Sequence, residues 1–192
     1  LQVAVAADGY VPCGTTRVVM RLKKQRKIDR LMDLLNATQT PAKWVHEECT
    51  GYTVATFYAP TRDKEFGATF WECTGDQLRV IVDECVHWDG SRRKGGGVEF
   101  FSTSKASADF IQYAFSATGK TASIAVDARP GRKDCYVVHA RENAALLYLC
   151  GTNAGVKSKT VWREPSPDGF KYCFMVPSTF LILRRNGCVF AT

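Results

Sequence analysis

The sequence predicts an α+β protein that is crosslinked by disulfides. An N-terminal domain with a helix and an antiparallel sheet is expected over residues 1–105, and an all-β sandwich or barrel domain over residues 106–192. Helical periodicity is concentrated in the first half, and short apolar strands recur at spacings of about ten residues in the second. The eight cysteines divide four and four between the halves. With 45% hydrophobic and 23% charged residues, the chain has the composition of a folded globular protein.

The first predicted helix is amphipathic and covers residues 17–38, where proline at position 41 prevents it from continuing. Its apolar residues follow helical spacing: Val18, Leu22, Ile28, Leu31, Met32 and Leu35. Its basic residues face mainly elsewhere: Lys23, Lys24, Arg26, Lys27 and Arg30. A basic run of this kind can bind phosphates or an anionic membrane, but the solvated face of a helix is the more common role and is the prediction here.

Two strands and a second helix are predicted next. Residues 44–59 and 66–73 are rich in aromatic and β-branched residues, which favours a hairpin or meander. Thr74 and Gln77 fit a capping box, and the apolar spacing of the helix that follows points Cys85 inward. His87 would then lie in the last turn, and Gly90 would be the left-handed residue that ends the helix.

Beyond Ser102 the pattern changes. The polar stretch "STSKASADF" is interpreted as the domain junction. Seven strand-like segments follow, bounded by turn signals such as "RPGRKD" and "PSPDG", which is typical of an antiparallel sandwich or small barrel. No sequence repeat relates the two halves closely enough to indicate duplication.

The cysteines predict disulfides and a secretory origin, because their even number and the lack of CxxC spacing disfavour zinc and thioredoxin-type sites. We expect pairing within the N-terminal half and within the C-terminal half, with three pairings open in each: Cys13, Cys49, Cys73 and Cys85, then Cys135, Cys150, Cys173 and Cys188. The sequon at Asn36 would accept a glycan in such a compartment. Because the chain starts at Leu1 without a leader, we expect a targeting segment to have been removed.

No metal, cofactor or catalytic residue is predicted. Cys85 and His87 are two positions apart on a helix and do not face each other, so a thiol enzyme is disfavoured. The glycines of "SRRKGGG" follow a helix and precede a strand, the reverse of a phosphate-binding loop. A secreted hydrolase or ribonuclease using His46 or His87, with Glu47 nearby, remains the alternative.

The charge and hydropathy of the chain set the expected partners. The net charge is +7, and no stretch of about 18 apolar residues is present for a membrane span. A positive surface steers a protein toward acidic partners. The loop residues Arg92, Arg93 and Lys94 are the candidate binding surface, and we expect a monomer that binds no nucleic acid.

Three segments carry a resemblance to a known family: "GYVPCG", "FWECTGDQLRVIVDEC" and "CYVVHA…LYLCG". With the four-plus-four cysteines and the two-part architecture, they resemble the dual-domain secreted effectors of the Fusarium "secreted in xylem" group. The resemblance implies a non-enzymatic virulence protein, secreted into the host apoplast or xylem, with entry into host cells left open. Its partners would be host plant proteins, including an immune receptor. The N-terminal half also resembles killer-toxin-type domains, which leaves a membrane or channel ligand as a further alternative.

Overall fold

A computed structural model describes residues 1–61, 63–128, 130–142, 165–170, 172–177, 182–185 and 188–191. It is a mixed α+β chain with two antiparallel sheets. Within this part of the chain, no helix has the length and apolar character that a bilayer crossing needs.

The helices and strands fall into two successive groups. The first comprises α1 Gln2–Asp8, β1 Gly9–Tyr10, β2 Arg17–Leu22, α2 Gln25–Ala37, β3 Ala42–Glu47 and β4 Tyr52–Tyr58. After the short helix α3 Ala68–Trp71, the second comprises α4 Gly75–Cys85, β5 Gly90–Arg92, β6 Val98–Ser102, α5 Lys105–Ala117, β7 Thr121–Asp127 and β8 Cys135–Arg141. The last described strands are β9 Ile182–Arg185 and β10 Cys188–Ala191.

The two groups have the same topology. Each runs helix, strand, strand, helix, strand, strand, and the sheets are ordered β1-β2-β4-β3 and β5-β6-β8-β7, with β10 and β9 added beyond β7. The helices α2 and α5 each have 13 residues and bury matching positions. The matching buried residues are Ile28, Leu31 and Leu35 in α2, and Ala108, Ile111 and Phe115 in α5, which also buries Ser107, Phe110, Gln112 and Ala114. The chain therefore contains a structural repeat, which matches in topology and in buried positions although the residue types differ.

Three predicted elements differ in type. The predicted strand over 66–73 is wrong, because Ala68–Trp71 form the helix α3 instead. Residues 17–22 form the strand β2, because Val18, Met20 and Leu22 are buried alternately with more exposed neighbours, the period of a strand. The helix begins only at Gln25. The predicted junction after Ser102 is instead the helix α5, whose start is capped by the Ser104 side chain accepting from the Ser107 amide.

Other elements agree with the prediction. The Thr74 side chain accepts from the Gln77 amide, and the Gln77 side chain accepts from the Thr74 amide, which confirms the capping box. Cys85 is fully buried as expected. Strands also form in β7 to β10 and in the predicted segment 44–59, which folds as the hairpin of β3 and β4. The predicted strand over 169–176 is wrong, because its described residues form no strand. The predicted strands over 144–151 and 158–164 lie outside the described residues.

The α+β class and the antiparallel sheets are confirmed, but the disulfide staples and the barrel are not. Each of the six cysteines whose side chains are described carries a free thiol: Cys13, Cys49, Cys73, Cys85, Cys135 and Cys173. Cys150 and the side chain of Cys188 lie outside the described residues. Among the described strands neither sheet closes on itself. The division at residue 105 stays a prediction, although β6 before it pairs with β8 after it.

Gly90 begins β5 and does not adopt the left-handed conformation predicted for it. A Cβ at this position would lie 2.9 Å from the Cys85 carbonyl oxygen and 3.0 Å from that of Glu99. Because both are backbone atoms, Gly90→Ala forces the end of α4 away from β6. We expect it to lower the free energy of unfolding by about 1–3 kcal/mol, measured by urea denaturation. Gly95→Ala, where a Cβ meets nothing within 4 Å, is the control and should change stability little.

Candidate active site at the helix interface

The helices α1 and α4 pack together, and each leads to an aspartate followed by a glycine. Asp8 is the last residue of α1, and Gly9 opens β1. Asp89 follows the end of α4, and Gly90 opens β5. A Cβ on Gly9 would lie 2.6 Å from the Val5 carbonyl oxygen, so the chain can turn into the strand this tightly only without a side chain. The structural repeat thus places one aspartate per repeat beside the helix interface.

Two lysines accompany the aspartates. The Lys27 ammonium, on a side chain that is 13% exposed, donates to the Asp8 carboxylate and lies 5.6 Å from the centre of the Trp88 ring. The Lys64 ammonium donates to the Ala7 carbonyl oxygen over 2.9 Å, at the C-terminal end of α1. Partial burial lowers the pKa of Lys64, while the charges of Asp8 and Asp89 oppose that shift. The site therefore combines two carboxylates with two ammonium groups.

The charge of Asp8 affects the pKa of Asp89. Burial raises the pKa of Asp89, the charge of Asp8 raises it further, and Lys27 and Lys64 act in the opposite direction. The two negative charges repel each other, and both attract a cation.

Replacing Asp8 with asparagine is expected to lower the pKa of Asp89, because the like charge is removed and the Lys27 ammonium loses its partner. Carboxyl-carbon NMR titration of Asp89 measures this directly. Asp83→Asn, an exposed change on α4, is the control. An unchanged or higher pKa of Asp89 in Asp8→Asn would show that the two carboxylates do not interact.

The basic side of α2 faces the site, which corrects the prediction of a solvated face for three of its residues. Lys27 reaches Asp8, and the Arg26 guanidinium donates to the His87 carbonyl oxygen over 2.8 Å. Arg30 Nε donates to Glu84 Oε2 over 3.0 Å. These cations attach α2 to the ends of α1 and α4, so they belong to the architecture of the site.

Glu84 connects this basic face to the tryptophan before Asp89. Its buried carboxylate accepts from Arg30 and, over 2.7 Å, from Trp88 Nε1. Burial alone would raise the pKa of Glu84, but the hydrogen bonds from Arg30 and Trp88 outweigh it and the pKa is lowered. Because Trp88 is fixed in this way, the backbone that carries Asp89 is fixed as well.

A basic groove of about 900 Å³ lies directly beyond Asp89 along the chain. The candidate surface residues Arg92, Arg93 and Lys94 are exposed and line it together with Arg141 from β8. Arg93 Nε lies 3.0 Å from Glu99 Oε1. Because β5 begins at Gly90, the site and the groove are joined by one three-residue strand.

The outer face of the first sheet is also basic and aromatic. Arg17 and Arg21 project from β2 away from the buried face of the sheet. The Arg17 guanidinium lies 5.6 Å from the centre of the Tyr58 ring, and that of Arg21 lies 3.9 Å from the centre of the Tyr52 ring. Positive charge interleaved with aromatic rings suits a nucleic-acid surface.

The histidines considered for catalysis have exposed side chains, whereas Cys85 is buried and lines the same cavity as Asp89. His46 is exposed on β3 with Nδ1 3.2 Å from Thr53 Oγ1, and the His87 side chain is exposed after α4. Burial raises the pKa of the Cys85 thiol to about 12, so it is protonated near neutrality and does not act as a thiolate nucleophile. Among the described residues, no group of three or more His, Cys, Asp and Glu side chains could hold a metal ion. Asn36 is exposed in α2, and its glycosylation stays a prediction.

No protein-family model and no curated protein matches the sequence. Solved structures do match its fold. Full-length DUF199/WhiA from Thermatoga maritima is 12% identical with a TM-score of 0.50, over 73% of this chain and 50% of that one. The N-terminal LAGLIDADG domain of DUF199/WhiA is 12% identical with a TM-score of 0.48, over 71% of this chain and 75% of that one. The homing endonuclease I-DmoI in complex with DNA and Mn is 12% identical with a TM-score of 0.48, over 72% and 88%.

The likeness in fold to full-length DUF199/WhiA contradicts the predicted family. The fold is similar to WhiA and not to the "secreted in xylem" effectors, so that resemblance was wrong. The predictions of a plant virulence function, of a non-enzyme, of host protein partners without nucleic acid and of a secreted location are contradicted with it. The hydrolase alternative agrees with the comparisons better than the effector interpretation did.

The sequence signal that was missed is the Asp-Gly pair that follows the first helix of each structural repeat. The first pair, Asp8-Gly9, ends the segment "LQVAVAADG", and the second, Asp89-Gly90, ends the segment "VDECVHWDG". Asp8 and Asp89 stand at the same place in these two segments, 81 residues apart. Neither pair stands out in a chain with eight cysteines.

Proposed function

We propose that this chain is a DNA endonuclease that depends on a divalent cation, with Asp8 and Asp89 as the cation-binding carboxylates. The observation that carries the proposal is the placement of these two aspartates after two helices that pack together, with Lys27 against Asp8 and Lys64 against the end of the first helix.

The residues fit a hard cation. Mg²⁺ is held in proteins by one or two carboxylates, with waters and substrate phosphates completing its ligands, so a site with fewer than three protein ligands suits it. The charge of Asp8 raises the pKa of Asp89, and a dication would relieve that repulsion. Once bound, it would supply Lewis-acid polarisation of the phosphate and activation of water.

Other residues of the chain place positive charge beside the two carboxylates and hold them in position. Lys27 and Lys64 place positive charge beside the carboxylates, where a scissile phosphate would accumulate negative charge. The glycines after both aspartates keep backbone and carboxylates tightly positioned. Trp88, held by Glu84, fixes the approach to Asp89.

The surfaces beside the site suit duplex DNA. The groove with Arg92, Arg93 and Lys94 and the outer face of the first sheet present cations that can neutralise phosphates. The net charge of +7 acts in the same direction at longer range. The basic loop would contact the DNA next to the scissile phosphates.

The test is cleavage of a pool of randomised DNA duplexes by the purified chain, with MgCl₂, MnCl₂ or EDTA. The account predicts that a subset of duplexes is cut with Mg²⁺ or Mn²⁺ and that EDTA abolishes the cutting. DNA left intact under all three conditions would overturn the nuclease.

A second candidate is a DNA-binding protein that does not cleave. The observation that favours it is the Lys27 ammonium on the Asp8 carboxylate, since this cation occupies an oxygen that a metal would use. It predicts that the chain selects particular duplexes from the same pool in EDTA as well as in Mg²⁺, without cutting them in either.

The loop change Arg92→Ala/Arg93→Ala/Lys94→Ala is expected to weaken DNA binding over all sequences. It should reduce the slope of log affinity against log salt by about 0.9 for each phosphate that the loop no longer neutralises, or roughly 2.7 in total. Fluorescence anisotropy between low and moderate salt measures both. Arg79→Ala, an exposed cation on α4, is the control. An unchanged slope in the triple variant would remove the loop from the DNA surface.

A further inference from the structure

A second group of titratable side chains lies on the outer face of the second sheet. Glu99 on β6 and His139 on β8 are directly opposite each other in the antiparallel register. Val98 and Val138, which precede them in the chain, are buried. Because side chains alternate along a strand, Glu99 and His139 project from the opposite face of the sheet. Neither residue belongs to the proposed cation site.

The Glu99 carboxylate connects the members of this group. Its Oε1 atom lies 3.0 Å from Arg93 Nε and 3.0 Å from His139 Nδ1. The Glu99 side chain is 16% exposed, so its carboxylate is largely shielded from solvent, whereas the His139 side chain is 32% exposed. A carboxylate beside Nδ1 keeps a proton on that nitrogen and leaves Nε2 as the proton acceptor of the neutral ring.

His139 lines the basic groove that the loop after β5 forms. Four cations line the same groove: Arg92, Arg93, Lys94 and Arg141. Glu142 is the acidic residue that the structure describes there. A Cβ on Gly97 would lie 2.8 Å from the Ala140 carbonyl oxygen, so the loop can lie this close to β8 only with glycine at that position. The basic loop is therefore held against the strand that carries His139.

An imidazole that is oriented by a carboxylate is suited to remove a proton from a hydroxyl group. Among the described residues that line the groove, none is a serine, threonine or cysteine, so the hydroxyl has to come from the substrate or from water. The ribose of RNA carries a 2′-hydroxyl next to each phosphate, and a nucleophile within the substrate gains greatly from its proximity. The guanidinium and ammonium groups of the groove would stabilise the charge that develops on the phosphate.

We propose that this groove is a separate catalytic site that cleaves single-stranded RNA without a metal ion, with His139 as the general base. The inference goes beyond the proposed function, because it uses neither the two aspartates nor a divalent cation. His139 Nε2 accepts the proton of the 2′-hydroxyl, the 2′-oxygen bonds to phosphorus, and the bond from phosphorus to the 5′-oxygen breaks. The leaving 5′-oxygen takes a proton from water, and the imidazole returns its proton to the resulting hydroxide. The products carry a 2′,3′-cyclic phosphate and a 5′-hydroxyl.

Glu99 is a positioning residue for this reaction, because it acts through the His139 ring. Glu99→Gln should lower the single-turnover rate of RNA cleavage, since the amide no longer fixes the proton on Nδ1. It should not weaken RNA binding, because it removes a negative charge from beside Arg93. Fluorescence anisotropy measures the binding. A Glu99→Gln variant that loses binding and rate together would show only a structural role for this carboxylate.

The test incubates a pool of single-stranded RNA oligonucleotides with the purified chain in EDTA, and mass spectrometry identifies the ends of the products. The unchanged chain should produce 5′-hydroxyl ends and should leave 2′-O-methyl RNA and single-stranded DNA intact. His139→Gln should slow the cutting by at least about a hundredfold. His46→Gln, which changes an exposed histidine on β3, is the matched control and should cut at the unchanged rate.

RNA left intact by the unchanged chain in EDTA would overturn the inference. Products with 5′-phosphate ends would also overturn it, because they require attack by water. Equal cutting by His139→Gln would place the activity at another site or in a contaminating ribonuclease. His139→Asn is a second variant, and thermal melting shows whether both variants fold. Since EDTA removes the divalent cation that the proposed DNA endonuclease requires, the two proposals succeed or fail separately.

Discussion

Replacing Asp89 with asparagine is expected to slow DNA cleavage by about a thousandfold. The change keeps the shape of the side chain and removes the charge that would hold the cation, a contribution of several kcal/mol to the transition state. About 4 kcal/mol corresponds to that factor, since each 1.4 kcal/mol is tenfold. The measurement is the single-turnover rate on a duplex selected from the randomised pool, at saturating protein.

Two controls separate this effect from damage to the fold. Asp83→Asn removes an exposed carboxylate from α4 and should cleave at the unchanged rate. Asp89→Asn itself should bind the duplex with about the unchanged affinity, because the basic groove is intact. A rate for Asp89→Asn within about threefold of the unchanged chain would show that this aspartate takes no part in the chemistry.

Replacing Glu84 with alanine is expected to lower the free energy of unfolding by about 3–5 kcal/mol. The carboxylate is buried, and its removal leaves the Arg30 guanidinium without its partner and Trp88 Nε1 without its acceptor. Urea denaturation followed by tryptophan fluorescence measures the loss. Asp83→Ala on the same helix is the control, and a Glu84→Ala curve that matches it would contradict the role assigned to this carboxylate.

The pH dependence of Glu84 follows from its lowered pKa. A carboxylate whose pKa is lower in the folded protein stabilises the fold above its unfolded pKa, and that stabilisation is lost as the pH falls through the folded value. The stability difference between the unchanged chain and Glu84→Gln should therefore shrink on acidification below the ordinary glutamate pKa of 4.5. A difference that grows toward low pH would contradict the assignment.

Local signals in the sequence predicted local structure well. The Thr74 capping box, the inward face of α4 with Cys85 and the strand character of residues 52–58 all depend on neighbours within a few residues. By contrast, Arg26, Lys27 and Arg30 looked like a solvated face, because a helix shows its polar side without showing what packs against it. Their partners are the ends of helices more than 50 residues away for Arg26 and Arg30.

The candidate site could not be predicted for a related reason. Asp8 and Asp89 are separated by 81 residues, and only the structural repeat brings α1 and α4 together. The repeat itself is preserved in burial and topology, whereas positions such as Lys27 and Ser107 differ in chemistry. Eight cysteines supplied a stronger compositional signal than two Asp-Gly pairs, and that signal led to disulfides and a secreted family.

Affinity cleavage by iron tests the central claim most directly. Fe²⁺ with ascorbate and peroxide generates radicals at a bound metal and cuts the polypeptide near its ligands, and mass spectrometry locates the cuts. If Asp8 and Asp89 hold a divalent cation, the cuts fall close to both residues and disappear with excess Mg²⁺ or in Asp8→Asn/Asp89→Asn. Cuts that cluster elsewhere, or that persist in the double variant, would contradict the cation site at the helix interface.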